Sequence, residues 1–493
     1  MSNMMRFFLY CTLIFSFSCK DTSVISKTPP NILFVITDDQ SWLDVGSYGN
    51  QAVRTPHMNA LAINGVQFSN AYTAAPSCSP SRAGILTGQD IYRLEEGGVL
   101  TGFIRDKFTV FPTLLEANGY TIGATGKRYW PKTKNAPGAQ DMPLGKQEFR
   151  DKRFDTVPPG ISRIDYTANF EYFLNLRDTS KPFFFWVGTS EPHLKHPEGY
   201  GLKSGIDTSK IILPSFYPNV PLVKTAIADY LFEIEWADKE LGRILNLLKE
   251  KGLDENTLII FTSDNGMPFP RAKATLYDYG VRMPLIAYWK NKIKGNRVVE
   301  DPVSLIDLAP TFLELASIEI PGEMTGRSIK NLLLSDKSGK LDPNREFVVT
   351  AIEKHTHARP DSLGFPRRAI HSVDWTYIVN YEPDRWPIGD SATYIQGWDY
   401  YGDIDPSAIK KYFVAHKDDP SFRKTFDQSF GKVPREELYH KKTDPDMVNN
   451  LAYDPGHELT KEALKAKLND YLERTEDPRT EGKAPWDFYY LDD

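Results

Sequence analysis

Cys78 is the only cysteine beyond the first twenty residues of this 493-residue chain. It stands in the run Ser77-Cys78-Ser79-Pro80-Ser81-Arg82-Ala83-Gly84-Ile85-Leu86-Thr87-Gly88. Ser79 and Pro80 are helix-start signals, and residues 83–87 can continue the turn. An anion there would meet free backbone N–H groups and the positive end of a helix dipole, with the planar charged fork of Arg82 nearby. That arrangement would suit a reactive centre in an anion cradle. A lone cysteine is also commonly a small buried hydrophobe, and spacing within the stretch does not name a reaction.

A second set of chemistry-bearing residues comes from two places far apart in the chain. Asp38-Asp39 follow the apolar, β-branched run 31–37, and Asp264-Asn265 follow the similar run 257–262. Each run reads as a strand buried on both faces, and in an open α/β sheet the carboxyl ends of such strands are where ligands bind. Three carboxylates and an amide are hard oxygen donors, suited to Ca²⁺ or Mg²⁺ and unsuited to zinc. Converging acids repel one another unless a cation neutralises them.

The sequence Cys-x-Pro-Ser-Arg followed by Ala-Gly-Ile-Leu-Thr-Gly resembles the signature of the type I sulfatases. The resemblance implies that Cys78 is oxidised to Cα-formylglycine (3-oxoalanine), whose hydrate is the nucleophile. It further implies one Ca²⁺ held by Asp38, Asp39, the modified Cys78, Asp264 and Asn265. Arg82 matches the arginine that steadies the hydrate, and Lys127 the lysine bridging nucleophile and sulfate. His193 matches the sulfate-side histidine that can protonate the leaving group, and Lys273 the last sulfate-binding lysine. The likeness is nearest to the sulfamidase (N-sulfoglucosamine sulfohydrolase) group and its bacterial polysaccharide sulfatase relatives. Ser263-Asp-Asn-Gly-Met-Pro-Phe-Pro270, Thr325-Gly-Arg-Ser328 and Phe365-Pro-Arg-Arg-Ala-Ile-His371 carry that look. His355, His357, Arg367 and Arg368 are expected where a smaller domain reaches a sugar. Two positions depart from the family pattern. Tyr129 replaces the histidine of Gly-Lys-x-His, and Tyr279 stands where glycine is usual.

The elements that must position these residues follow from the hydrophobic pattern. Strands are expected at 31–37, 120–125, 181–187, 257–262 and 284–289. Helices are expected at 55–65, capped by Thr55, at 78–87, at 111–118, at 226–249 and at 304–317. Such alternation means an α/β fold, a mixed or parallel sheet covered by helices on both faces. The resemblance makes it an alkaline-phosphatase-like mixed sheet sandwiched between helices. Past residue 346 the texture changes to strands at 346–350 and 375–381, long Pro- and aromatic-rich loops and a helix near 459–473. The expected divisions are a lipoprotein signal peptide at 1–19, a tether at 20–30, a catalytic domain at 31–345 and a smaller C-terminal α+β domain at 346–493.

Composition is that of a folded protein: 41% hydrophobic, 13% aromatic and 25% charged residues. A formal charge of -6 carries no basic excess for nucleic acid. The apolar stretch 7–17 is too short to span a bilayer and reads as a leader. Ser16-Phe17-Ser18-Cys19 resembles a loose bacterial lipobox, which implies lipidation of Cys19 and a periplasmic or cell-surface location at the outer membrane; Ser16 stands where leucine is usual, so plain secretion is the alternative. With Cys11 removed and Cys19 acylated, Cys78 has no disulfide partner, which suggests a thiol that is used or modified. The expected function is exo-acting hydrolysis of O-sulfate esters on a sulfated glycan. The expected partners are that substrate and a formylglycine-generating or sulfatase-maturing enzyme. Three alternatives stand beside it: N-sulfoglucosamine hydrolysis, phosphoric or phosphonate monoester hydrolysis on the same scaffold, and a non-catalytic glycan-binding lipoprotein.

Overall fold

The computed structural model describes residues 29–129, 138–140, 143–145 and 147–487. Cys11, Cys19 and the expected leader, with nearly all of the tether, lie outside the described residues. No helix among the described residues is long and apolar enough to cross a membrane.

Strands β1 (Asn31–Thr37), β2 (Val66–Tyr72), β3 (Thr121–Gly126), β4 (Phe183–Gly188), β5 (Thr257–Ser263), β6 (Arg282–Tyr288), β7 (Arg297–Val299) and β8 (Val303–Ser304) form one sheet. Its order is β3-β4-β1-β5-β6-β2-β7, with β8 also paired to β2. β3, β4, β1 and β5 run parallel, whereas β6 is antiparallel to both β5 and β2. The sheet is therefore mixed. Strands β9 (Phe347–Ile352), β10 (Arg367–Ser372), β11 (Trp375–Asn380) and β12 (Glu436–His440) form a second, fully antiparallel sheet.

In chain order the helices are α1 (Pro56–Asn64), α2 (Cys78–Thr87), α3 (Phe111–Ala117), α4 (Tyr166–Leu176), α5 (Tyr200–Lys203) and α6 (Pro221–Glu250). They continue with α7 (Asp278–Val281), α8 (Leu308–Leu315), α9 (Lys330–Leu334), α10 (Ala408–Ala415), α11 (Arg423–Phe430) and α12 (Glu458–Arg474). The alternation of β1 explains how they divide. Leu33 and Val35 face a core shared with α1, α4 and α6, while Ile32, Phe34 and Ile36 face one shared with α2, α3 and α8. On α6 the residues Ile227, Leu231, Ile234, Leu241 and Leu248 recur at helical spacing and are all buried. Each such side chain contributes about 1.5–3 kcal/mol relative to exposure.

Two helix starts depart from local expectation. Thr55 does not cap α1; its hydroxyl accepts from the Gly46 N–H at 2.9 Å. The first amides of α1 are instead met by Asp238 of α6, which accepts from Met58 N–H at 2.8 Å and His57 N–H at 3.1 Å. The segment expected as one helix from 304 opens as a 3₁₀ turn, where the Ser304 N–H donates to Asp307 Oδ2 at 3.1 Å before α8 begins.

The second sheet is covered on both faces. α12 buries Leu464, Leu468 and Leu472 against Val349, Ala351, Ile370 and Tyr377, together with Ala74 and Ala75 from the loop leading to α2. The opposite face packs Val348, Ala369 and Ile378 on Tyr72, Leu276 and Val281. α10 and α11 bury Ile409, Phe413, Phe426 and Phe430 in the core of the large sheet. Residues past 346 thus share their burial with elements of the large-sheet unit.

Candidate active site

β1 and β5 are parallel neighbours with Thr37 opposite Ser263, so their carboxyl ends deliver Asp38-Asp39 and Asp264-Asn265 to one place. The Asp39 N–H donates to Asp264 Oδ1 at 3.1 Å, and Asn265 Nδ2 donates to Asp39 Oδ1 at 2.7 Å. All four residues are buried. Asp39 sits in the left-handed region at φ 68, a conformation aspartate tolerates better than most residues.

Helix α2 brings Cys78 to the same point. Its Sγ lies 4.0 Å from Asp39 Oδ1, and ligand atoms of Asp38, Cys78 and Asp264 all fall within 4.8 Å of one another. The helix starts at Cys78 and stops at Gly88, whose φ of 65 closes the final turn. Ser77 occupies the N-cap position but does not cap. Its hydroxyl pairs at 2.9 Å with Nδ1 of His355. All ten residues of α2 are buried. Burial pushes the Cys78 thiol up to about 12 despite Lys127 and Lys273 beside it. At neutral pH an unaltered thiol here is protonated and a weak nucleophile.

Three cations close around the acids. Arg82 Nε donates to Asp264 Oδ2 at 2.8 Å, and its Nη1 donates to the carbonyls of Lys127 at 2.7 Å and Arg128 at 2.9 Å. The second cation, Lys127, donates from Nζ to Asp38 Oδ2 at 2.5 Å. Two glycines place it: Gly126 has φ +73, and a Cβ on Gly188 would lie 1.7 Å from the Lys127 carbonyl. Lys273 Nζ reaches Asp39 Oδ2 at 2.8 Å and Asp405 Oδ2 at 2.9 Å. His193 Nε2 lies 3.6 Å from Asp39 Oδ2 and 3.4 Å from Lys273 Nζ, while its Nδ1 is 2.8 Å from the Leu194 carbonyl. Burial raises the Asp38 carboxyl, but the pull of Lys127, His193 and Arg82 outweighs it and holds the group below the usual range. For Asp264, burial and the charge of Asp38 outweigh Arg82, and the carboxyl is raised.

The donor set fits a hard cation. Asp38 Oδ1 and Asn265 Oδ1 are buried oxygens with no hydrogen-bond partner, and both belong to the cluster. Asp38, Asp39, Asp264 and Asp405 outnumber Arg82, Lys127 and Lys273 by one charge. A divalent ion would reverse that balance to one positive, which a monoanionic ester could neutralise. Exposure concentrates at two side chains, Lys127 at 20% and His193 at 32%, so they form the mouth.

The remaining expected residues separate. His355 joins the site through Ser77, and burial pushes its imidazole down to about 4. His357 is half-buried two residues on. Arg367 and Arg368 do not stand open to a sugar. Arg368 is fully buried between Glu353 at 2.6 Å and Asp477 at 2.7 Å. Arg367 is 1% exposed, stacks on Phe365 and donates to the Pro387 carbonyl. Both arginines lie on β10, where strand pairing turns them into the interior. Tyr129 directs its hydroxyl to the Gly102 carbonyl at 3.2 Å, and Tyr279 directs its own to Asp446 at 3.1 Å. Sequence reasoning missed Asp405, which lies in a loop with no motif around it.

Comparisons with known proteins show the family. The family model "Sulfatase" matches residues 30–318. An "Ulvan-active sulfatase" of Formosa agariphila is 30% identical over 457 residues, covering 90% of this chain and 80% of that protein. Human "N-sulphoglucosamine sulphohydrolase" is 27% identical over 496 residues, covering 91% of each. The solved structure of BT4656 shares the fold at a TM-score of 0.63 and 20% identity, covering 91% of this chain and 99% of that one. The chain belongs to the sulfatase family and is a sulfuric ester hydrolase.

Proposed function

We propose that the protein removes sulfate from a sulfated glycan, acting on O-sulfate esters at chain ends. Oxidised Cys78 is the nucleophile, and Asp38, Asp39, Asp264, Asn265 and residue 78 would hold one Ca²⁺. The convergence of Asp38, Asp39 and Asp264 with three cations around Cys78 carries this reading. The thiol is buried and pushed up to about 12, which suits a position whose nucleophile is a modified side chain. Relatives support the glycan. One is named for ulvan, one for N-sulfoglucosamine, and the BT4656 structure holds D-glucosamine-2-N,6-O-disulfate.

When present, the hydrated aldehyde would supply an oxygen nucleophile and the ion would withdraw charge from the sulfate oxygens. Everything else falls to the chain. Arg82 ties Asp264 to the 127–128 turn, so the acid end of β5 and Lys127 are held in one register. Lys127, paired with Asp38, and Lys273, paired with Asp39, are the cations that bind the sulfate. Fixed charges of this kind typically contribute about 10²–10³ in rate each. His193 stands at the mouth with Nε2 inward and gives the leaving oxygen its proton, a role worth about 10²–10⁴.

N-sulfate hydrolysis is the second reading. Asp405 favours it, because a carboxylate beside Lys273 and within the field of His193 suits a departing amine that becomes cationic. The boundary near residue 346, lipidation of Cys19, cell-surface location and dependence on a maturing enzyme complete the proposal. They rest on the sequence.

Mass spectrometry of the Cys78 peptide and a desulfation screen over heparan, chondroitin, ulvan, carrageenan and fucoidan oligosaccharides test it. Release of sulfate by oxidised protein, absent in Cys78→Ala, is the expected result. Fully converted protein that releases sulfate from no member of the panel would overturn it.

A further inference from the structure

Residues 391–404 carry four aromatic side chains, Tyr394, Trp398, Tyr400 and Tyr401, in fourteen positions. Tyr401 is buried, but Tyr394 is 61% and Tyr400 42% exposed, and Trp398 is half-buried. The rings of Tyr394 and Tyr400 meet edge to face with centroids 5.6 Å apart. Such exposure costs solvation unless something covers it.

This segment is fixed to the active site at two points. Trp398 meets the His355 ring at 6.1 Å and 80°. His355 is bonded to Ser77, the residue before Cys78. A T-shaped pair occupies at most one face of the indole. Just beyond the loop, Asp405 reaches Lys273 at 2.9 Å. The segment is also rigid. Trp398 N–H and Asp399 N–H both donate to the Ile395 carbonyl, at 3.0 and 2.8 Å. The buried Lys410 amine donates to the Trp398 carbonyl at 2.6 Å and the Ile404 carbonyl at 2.8 Å. A flexible loop would lose binding energy on ordering, whereas a pre-set one does not.

We infer that Trp398 offers a stacking face for an uncharged pyranose joined to the sulfated sugar, with the exposed Tyr394 and Tyr400 of the same loop flanking it. The inference rests on the glycan reading above and deepens it. Sugar rings present a C–H face that covers aromatic carbon, while their hydroxyls stay wet at the rim. The charge of the segment selects the occupant. It holds no Lys or Arg, and its acids are Asp399 and Asp403. Asp403 is consumed by Arg359, but Asp399 is exposed and would repel a uronate or a second sulfate. The ring adjoining the sulfated sugar is therefore uncharged in the preferred substrate.

The test compares oxidised wild-type protein, Trp398→Ala, Trp398→Phe and Tyr394→Ala. Sulfate release is measured from a sulfated monosaccharide and from carrageenan oligosaccharides. Binding of chemically desulfated carrageenan oligosaccharide is measured by calorimetry, which needs no turnover. In Trp398→Ala the KM for oligosaccharide should rise about tenfold more than the KM for monosaccharide, the ratio given by roughly 1.4 kcal/mol of lost stacking. Phe at 398 should restore most of it. Saturable binding of the desulfated oligosaccharide to wild type, weakened in Trp398→Ala and Tyr394→Ala, supports the platform. Absence of that binding in wild type overturns it, as does an equal change in both KM values. Concentration-dependent dimerisation lost in Tyr394→Ala, with oligosaccharide binding intact, would show that the rings cover a second copy instead. Failure of wild type on all sulfated sugars, with neutral binding retained, would refute the enzymatic reading and leave the platform standing.

Discussion

Lys273 Nζ lies 2.9 Å from Asp405 Oδ2, joining the end of the aromatic loop to the acid cluster at the carboxyl edge of the large sheet. The lysine is 1% exposed and is shared with Asp39. Burial disfavours its charge, yet the two carboxylates hold it protonated well above the ordinary lysine range. Asp405 therefore sets how much of that charge a bound sulfate feels. Asp405→Asn should tighten inhibition by inorganic sulfate on the order of tenfold, the ratio for about 1.4 kcal/mol. Product-inhibition kinetics measure this. An unchanged inhibition constant in a folded variant would remove Asp405 from the sulfate pocket.

Chelation should act on stability as well as on rate. Asp38, Asp39 and Asp264 are packed together in a buried site, and a bound divalent ion relieves their repulsion. At a hundredfold excess over Kd, Ca²⁺ should add about 2.7 kcal/mol to folding stability. Thermal melts with and without chelator read this directly. Asp38→Asn should abolish the calcium-dependent rise in Tm, and a Tm indifferent to chelator in wild type would argue against an ion.

Arg82 is 0% exposed, and its removal would leave Asp264 buried without its partner. Arg82→Ala should destabilise the protein by about 3–5 kcal/mol. Arg82→Lys keeps the charge but cannot span Asp264 and two backbone carbonyls at once. It should fold more stably than the alanine variant and still turn over at least a hundredfold slower, since the turn bearing Lys127 is released. Denaturant melts beside kcat separate the two effects.

A pH effect is expected from Asp90, where the 3₁₀ turn after α2 meets α12. Burial pushes its carboxyl up to about 6, with Tyr471 donating to it at 2.8 Å. Between about 4 and 6 the folded chain holds this proton and the unfolded chain has released it, so stability falls as pH rises through that window. The full penalty is present above it. Asp90→Asn keeps an acceptor for Tyr471 and carries no charge. It should be more stable than wild type by about 1–3 kcal/mol at pH 7, converging with it below pH 4. Melts at three pH values measure the crossover.

What could be read from the chain differs by element for physical reasons. Strands β1 and β5 were legible because both faces are apolar, and the acids after them marked the functional edge. β2 was not, since Val66-Gln-Phe-Ser-Asn-Ala-Tyr72 interleaves polar residues and lies near the edge of the sheet, with β6 on one side and short strands on the other. Arg367 and Arg368 looked like anion binders because their partners Glu353, Asp477 and Pro387 are distant in sequence and carry no local signal. The cap of α1 by Asp238 escaped for the same reason. The residues proposed to hold metal and sulfate lie in short motifs, whereas Asp405 and Trp398 acquire meaning only when the loop folds beside Ser77.

The interior position of helix α2 sets an order of events. A catalyst the size of a protein cannot enclose a side chain that is 5% exposed, so the proposed oxidation of Cys78 would have to occur while the polypeptide is still open. Two clocks then compete, one for oxidation and one for collapse, and the slower the chain collapses the larger the competent fraction. Variants that fold sluggishly should emerge more completely converted, even where fewer molecules survive.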